Sequence, residues 1–544
     1  MLACVLALMG LQFAISKIFP PIPKRQMPAV ALTNAASNIV AQGVAAMTTT
    51  TTAPPQLSTP SVERPAEQKL ALSNEFIRVE FTSWGGGIRS VELLKHKANG
   101  HGHITLNQDA PTVALSLVGV PGADTNGVFT LEQSGPTSVV MRAANVTKTV
   151  ALGKDYLLTG SIECGGVPAV GVVVGMACSA HKAEALNTKE TPYLNTDWQD
   201  GPKWSNRDLG AVTKRTGKGQ NRETIHARWV AVKSQYFAMV LTGGTNAMAV
   251  TYTPVDLPRP EGWTAKPPPR GVMAVAEWPT VSGKLSFSLY AGPKEYERLS
   301  VLGQSQMEVM DFGSWMDGYT GIFGLVLFKG MVWCHKLAPN YGMAIILVTI
   351  LLKIVFWPIQ AKSIKSMKEM QKFQPQMQKV REKYKDDSQK MNQEIMKLYK
   401  EHKINPFSGC LPMLVQMPVL IAFYKVLSNA IELRGTSFLW IKDLSLPDTI
   451  WIHTLPFSLP LIGDTLVLNP LPLLMTASTV LQQKMTPSTG DSQQQKMMMF
   501  MPLIMLFMFY GMSSGLVLYW TVQQLLSIAQ QWWSMRQTAT APAK

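Results

Sequence analysis

Cysteine and histidine are scarce in this chain, with five and eight in 544 residues. No cysteine pair shows zinc spacing. Cys4, Cys334 and Cys410 lie in or near apolar runs. Cys164 and Cys178 flank GGVPAVGVVVGMA, where a disulfide could form in an oxidising compartment, though nothing in the spacing requires one. Five histidines (His96, His101, His103, His181, His226) fall between 70 and 300. Only His101 and His103 are close, with no acid or third histidine at ligand spacing, so a solvated loop is expected there rather than a metal site. There is no phosphate-binding loop, which argues against ATP hydrolysis. Neither paired carboxylates nor a Ser/His/Asp arrangement stands out. No catalytic residue, cofactor or small-molecule substrate is expected. Acids are also short, 35 against 50 Lys and Arg, for a formal net charge of +15.

Long apolar runs are plentiful. The most informative is 341–358, YGMAIILVTILLKIVFWP, which reads as a membrane-spanning helix with Lys353 inside it. A lysine in hydrocarbon costs about 2.5–3.5 kcal/mol on insertion scales. It is retained if it reaches water, finds a partner or performs a task; snorkelling to the interface is the bland alternative. Thr349 and Gln360 lie close to the Lys353 face of a 3.6-residue helix, which makes one side of the span polar.

Further spans are expected at 411–428, 468–484, 497–512 and 515–532, and an uncleaved first transmembrane helix at 1–19, its true start left open. Residues 20–69, with MTTTTTAPP, are expected to be a disordered Ala/Thr/Pro linker. Charge sets the orientation. Twelve Lys/Arg against six acids lie between 359 and 404, Lys484 and Lys496 bound a later loop, and Arg536 follows the last span. The positive-inside rule puts these in the cytoplasm, together with a short tail at 537–544, and leaves 20–340 and 429–467 outside.

Residues 70–294 alternate apolar and polar side chains between Gly, Pro and Asn breaks, as in FIRVEFTSWGGGIRSVEL. Strands are also expected at 112–119, 127–133, 137–149, 155–163, 168–176, 228–252 and 284–291, giving an extracytoplasmic all-β sandwich with a scaffold or partner-binding role. Residues 295–340 are expected to hold an interfacial helix, with a seventh span as the rival reading. Over 359–404, charges interleave with modest apolar faces, and Lys385-Asp386-Asp387-Ser388 reads as a turn. The expectation is a cytoplasmic helical hairpin whose Lys365, Lys368, Lys372, Lys379, Arg381, Lys383 and Lys385 form a basic docking surface for lipid headgroups, ribosomal RNA or nascent chains.

One run is specific. Asn405-Pro-Phe-Ser-Gly-Cys-Leu-Pro-Met-Leu-Val-Gln-Met-Pro418 strongly resembles the NP-x-x-GC-x-P-x-x-x-QMP signature of YidC-type membrane protein insertases, the bacterial members of the Oxa/Alb family. Ser514-Gly-Leu-Val-Leu-Tyr519-Trp520 resembles the opening of that family's last helix, and Tyr290-Ala-Gly-Pro293 the end of its outer domain. The resemblance covers about 70 to 536 and implies a polytopic α-helical inner-membrane protein. Its parts would be a five-helix insertase core plus the N-terminal helix, a periplasmic β-supersandwich and the hairpin. It also implies a hydrophilic groove, open to the cytoplasm and to lipid, in which a cation of the first core helix attracts the polar part of a nascent membrane protein. Lys353 stands where an arginine is usual, keeping the charge but losing the planar donor fork. Thr349 and Tyr519 or Trp520 would contact the client.

Gln416, Thr476, Ser478, Thr479, Gln482, Trp520, Gln523, Gln524, Ser527 and Gln531 are the other polar residues that could line this groove. Singly they fit ordinary helix–helix hydrogen bonds, worth about 0.6 kcal/mol each. Six methionines in 496–509 suit a surface accepting varied apolar segments, and equally an ordinary core. The expected partners are nascent membrane proteins, the bilayer, the Sec translocon and the ribosome. A transporter or channel built on Lys353 is the main rival, but inverted repeats and broken helices are not visible. A membrane-anchored carbohydrate-binding protein would leave the core helices idle.

Overall fold

The computed structural model describes residues 65–98, 102–178, 193–200, 203–259, 268–303, 305–312, 319–384, 387–402, 411–459, 463–485 and 492–539. The expected first span at 1–19, nearly all of the linker 20–69, Cys4, Cys410, His101, His181, Lys385 and the signature residues 405–410 lie outside the described residues. The chain divides into two compact units, one ending at Met310 and one taking up at Asp311.

The first unit is antiparallel β. Strands Lys69–Ser73, Ile77–Thr82, Gly87–Lys97 and His103–Leu106 form a four-stranded sheet in chain order. A twelve-stranded sheet is built around Phe237–Asp256. This strand pairs with Arg222–Lys233 on one edge. Along the other it pairs first with Lys284–Pro293 and then with Arg270–Pro279. The exchange of partners begins at Gly243-Gly244. A Cβ on Gly243 would sit 2.3 Å from Nε1 of the buried Trp278, so only glycine fits where the strand passes that ring.

The run expected as one strand over 228–252 is a hairpin, Arg222–Lys233 turning at Ser234 into Phe237–Asp256. Both arms are largely buried there, so no polar alternation marks the turn. The run 137–149 likewise holds two strands, Ser138–Ala143 and Val146–Leu152. Ala144-Asn145 makes their two-residue turn, with alanine at φ 45° in the first position, where Gly or Asn is usual. Cys164 is a buried free thiol, so the possible Cys164–Cys178 disulfide is not formed.

Among the described residues, Lys148, Lys233 and Lys294 are buried in this unit. Lys148 Nζ donates to the carbonyls of Gly85 (3.2 Å), Gly86 (2.6 Å) and Leu115 (3.0 Å), with the Phe129 ring centre 4.4 Å away. Burial pulls its pKa down to about 7, while the three carbonyls and the ring face act against that pull. Lys233 pairs with Asp197 at 2.6 Å and donates to Val309 O at 3.2 Å. This ties the 3-10 turn Gln306–Met310, which follows a short helix, to the sheet.

The second unit is helical. Counting from Leu209–Thr216 (α1) and Tyr296–Leu302 (α2) in the first unit, it contains α3 (Tyr319–Leu337), α4 (Tyr341–Lys372), α5 (Gln374–Lys383), α6 (Ser388–Glu401), α7 (Leu411–Asn429), α8 (Pro470–Met485), α9 (Ser492–Phe509) and α10 (Ser514–Ala539). Strands Trp451–Leu459 and Gly463–Leu468 form a hairpin between α7 and α8. Helix α4 runs through Pro358 to Lys372, so the apolar run and the start of the charged region are one helix. Proline removes one ladder bond without ending it.

Among the described residues, Tyr341–Ser366 is the one stretch long and apolar enough to cross a membrane by composition; Met499–Phe509 is a shorter apolar helix. Beyond α4, helices α5 and α6 fold back on each other. Met370 at the end of α4 and Met377 on α5 are buried against Phe373 and, on α6, Leu398 and Tyr399, a small core shared by the three helices.

Candidate functional site

Helices α4, α7 and α10 meet along a polar line. Lys353, on α4, is only 4% exposed. Its Nζ donates to Gln360 Oε1 at 2.5 Å and to Ser527 Oγ at 2.8 Å. Gln360 is seven residues on, two helical turns along the same face. Ser527 Oγ donates to Gln523 O at 2.8 Å, Gln523 Nε2 donates to Gln416 Oε1 at 3.3 Å, and Gln416 Nε2 donates to Tyr519 Oη at 2.5 Å. Tyr519, Gln523 and Ser527 recur every four residues, so α10 presents them on one face. Tyr519 stacks on Phe423 with ring centres 3.9 Å apart. A continuous polar path thus runs from Tyr519 to Lys353. Both recorded partners of Lys353 are neutral oxygens, so its charge is solvated but not cancelled.

The remaining candidates divide. Thr349 is buried near Lys353 in sequence, but its hydroxyl donates to Ile345 O at 2.7 Å, within its own helix. On α8, Thr476 donates to Pro472 O, and Ser478 and Thr479 both donate to Met475 O. These hydroxyls satisfy their own turns, the usual habit of Ser and Thr in helices. Gln482 is half-buried on the same helix. Trp520 packs on Phe509, and its Nε1 has no hydrogen-bond partner among the described residues. Gln524 is half-buried and Gln531 donates to Met485 O at 3.4 Å. The structure therefore brings Lys353, Gln416, Tyr519 and Gln523 into one network and leaves the α8 hydroxyls outside it.

Of the basic hairpin residues, Lys365, Lys372, Lys379 and Lys383 are exposed and Arg381 is partly covered. Lys385 and the side chain of Lys368 lie outside the described residues.

One end of the bundle is held by groups the sequence did not single out. Asp448 is buried and accepts from Trp440 Nε1 (3.1 Å) and Leu471 N (2.6 Å). Burial raises its pKa, and these two donors act against the rise. Ser514 N and Gly515 N donate to Leu446 O and Leu444 O. Asn469 Nδ2 donates to Tyr510 O, and Tyr510 Oη to Val467 O. Together these bonds tie the starts of α8 and α10 and the end of α9 to the loop that follows α7. Lys425 on α7 adds an ion pair with Asp311 at 3.3 Å. The available cue was two aspartates, Asp443 and Asp448, in a loop that also carries Glu432, Arg434 and Lys442 among its apolar residues.

The family model of the 60Kd inner membrane protein matches residues 333–541, and that of the YidC periplasmic domain matches 69–323. The membrane protein insertase YidC of Maridesulfovibrio salexigens is 31% identical over 97% of this chain and 96% of its own length. The chain belongs to the YidC membrane protein insertase family. The YidC insertase of Geobacter metallireducens is also 31% identical, over 98% of this chain and 97% of its own length. A solved structure of an active YidC insertase with its first transmembrane domain resolved covers 86% of this chain and is itself covered to 92%, at 19% identity and TM-score 0.36. YidC relatives are inner-membrane insertases with a periplasmic β-sandwich domain, and the family is not one of enzymes.

Proposed function

We propose that this chain is a multi-pass insertase of the bacterial inner membrane, with its β unit in the periplasm. It would receive nascent membrane proteins in a groove built on Lys353, Gln416, Tyr519, Gln523 and Ser527, and release their apolar segments into lipid. The carrying observation is a buried lysine held, among the described residues, by neutral side-chain partners, in a chain of this family. Gln360 and Ser527 hold the Lys353 amine in position, and neither carries a charge that would neutralise it. An acidic or polar client segment can therefore take their place. One charge about 4 Å from a carboxylate is worth about 1 kcal/mol in water and about 4 at an intermediate dielectric. That offsets part of the cost of drawing a polar tail into the membrane.

Thr349, Thr476, Ser478, Gln482, Trp520 and Gln524 belong to the walls of this groove in our reading, less directly than the network residues. The exposed lysines of α5 and of the end of α4 form a cytoplasmic recruitment surface, with the ribosome and Sec translocon as the proposed larger partners. The small methionine core supports a hairpin packed against the end of α4.

The direct test is reconstitution of the purified protein in liposomes with a single-span client. Protease protection without nucleotide is the expected result; a client left fully digestible would refute the proposal. Single cysteines at Lys385 and His96, labelled from each side of the membrane, test the topology. Reaction from opposite sides is expected, and reaction of both from one side would overturn it. Removing 365–400 should weaken client or ribosome engagement while leaving the bundle folded.

A further inference from the structure

The loop after α7 carries an apolar surface that the polar path does not use. Phe438 and Ile441 exchange both backbone hydrogen bonds at 2.9 Å, which makes Leu439 and Trp440 the tip of a two-residue turn. Such tips usually take Gly, Asn or Asp. Leu439 instead sits at φ 52°, in the left-handed region that a large side chain avoids. It gains no packing in return: Leu439 is 75% exposed and Trp440 44%. Strain kept at an exposed apolar tip points to a task outside the chain's own core.

The tip is fixed in place. Trp440 Nε1 is held by Asp448 at 3.1 Å. Phe438 lies against Gly342, where a Cβ would come within 2.2 Å of the ring. Asn340 Nδ2 donates to Ser437 O at 2.7 Å. These contacts pin the turn to the first turn of α4, the end of the apolar stretch Tyr341–Ser366 opposite its basic extension. The neighbouring Met343, Ile450, Trp451 and Ile452 are exposed as well, and Lys442 stands exposed just past the tip. Apolar and tryptophan side chains with a following cation, at the level where a span ends, match the interface of a bilayer.

We propose that the Leu439–Trp440 turn is an interfacial anchor that inserts into the outer leaflet, with Lys442 at the level of the lipid phosphates. It sets the depth of the hydrogen-bonded loop that closes this end of the bundle. The proposal rests on the multi-pass topology above.

The test uses the full chain with its native cysteines replaced by serine. Leu439→Cys carrying a bimane label, in nanodiscs of brominated lipid, should lose its emission to the bromines and resist aqueous iodide. Lys442→Cys, in sealed vesicles, should react with an impermeant maleimide from the outer side. Leu439→Asn should melt no lower than the parent in detergent, because asparagine accepts this backbone geometry. Quenching at 439 by iodide and not by lipid overturns the anchor. So does a label that is aqueous with this chain alone and becomes shielded only when a Sec translocon is added, which would make the turn a protein interface. A Leu439→Asn variant that melts well below the parent shows the side chain to be packed, and also overturns it. Lys442→Cys reacting only from the cytoplasmic side refutes the topology, and the anchor falls with it.

Discussion

The two units each bury lysine, and they treat it differently. In the β unit, Lys148 gives all three hydrogens to backbone carbonyls, and Lys233 faces a carboxylate. The carbonyls are fixed in the backbone of buried turns, and the carboxylate cancels the charge it faces. In the helical unit, Lys353 is held by an amide and a hydroxyl at the ends of side chains. Such partners can turn away when a better acceptor arrives. A buried lysine whose acceptors are fixed serves the fold. One whose acceptors are neutral and replaceable can bind something else.

Breaking the ion pair should give the largest effect. Asp197→Ala leaves Lys233 buried without its counter-charge and should destabilise the β unit by about 3–5 kcal/mol in denaturant unfolding. The double change Asp197→Leu with Lys233→Met should recover most of that loss. In a folded preparation of either variant, client insertion should be little changed; a parallel loss of insertion would erase the contrast between the units.

Lys148→Met should come next, at about 3 kcal/mol, because three carbonyls lose their donor. It also carries a pH signature. The folded pKa is pulled to about 7 from the ordinary 10.5, so between those values the unfolded chain holds a proton that the folded chain lacks. Stability should therefore rise as pH goes from 7 to 10.5 and flatten below 7, where both states are protonated. In Lys148→Met that slope should disappear. A flat profile in the parent would mean that the carbonyls and Phe129 fully offset burial.

Lys353 is the test on the other side. Lys353→Arg should preserve or improve insertion, since it keeps the charge and adds donors. Lys353→Ala should reduce insertion of clients with acidic tails by about tenfold, corresponding to about 1.4 kcal/mol, and of nearly apolar clients much less. Lys353→Glu should be worse than alanine for acidic tails. Equal insertion of every client by all three folded variants would make Lys353 a structural lysine like Lys148.

The smallest effect should come from Tyr519→Phe, which removes one hydrogen bond of the path, worth about 0.6 kcal/mol in a membrane bundle. A much larger loss would mean that the phenol itself meets the client.

What could be read from the chain depended on the range of the interaction. The β character of the outer unit was legible because alternation is local. Its hairpins at Ser234 and Ala144 were not, because one is buried on both faces and the other turns without glycine. Lys353 and Gln360 were legible together, since seven residues are two turns of one helix. The α8 hydroxyls looked like equal partners, and only the structure turns them back onto their own carbonyls.

The sequence by itself determined the two-part plan: a β-rich segment, apolar runs with Lys353 inside one of them, a basic stretch and the insertase signature, each set by composition or local spacing. Tertiary structure alone decided that Gln416, from α7, and Ser527, from α10, converge on the face of Lys353. It alone decided that Asp448 anchors Trp440 while Leu439 stays strained and exposed. Periodicity fixes which side chains share a face of one helix. Which faces meet is set by packing between segments separated by a hundred residues or more, and no local pattern encodes it.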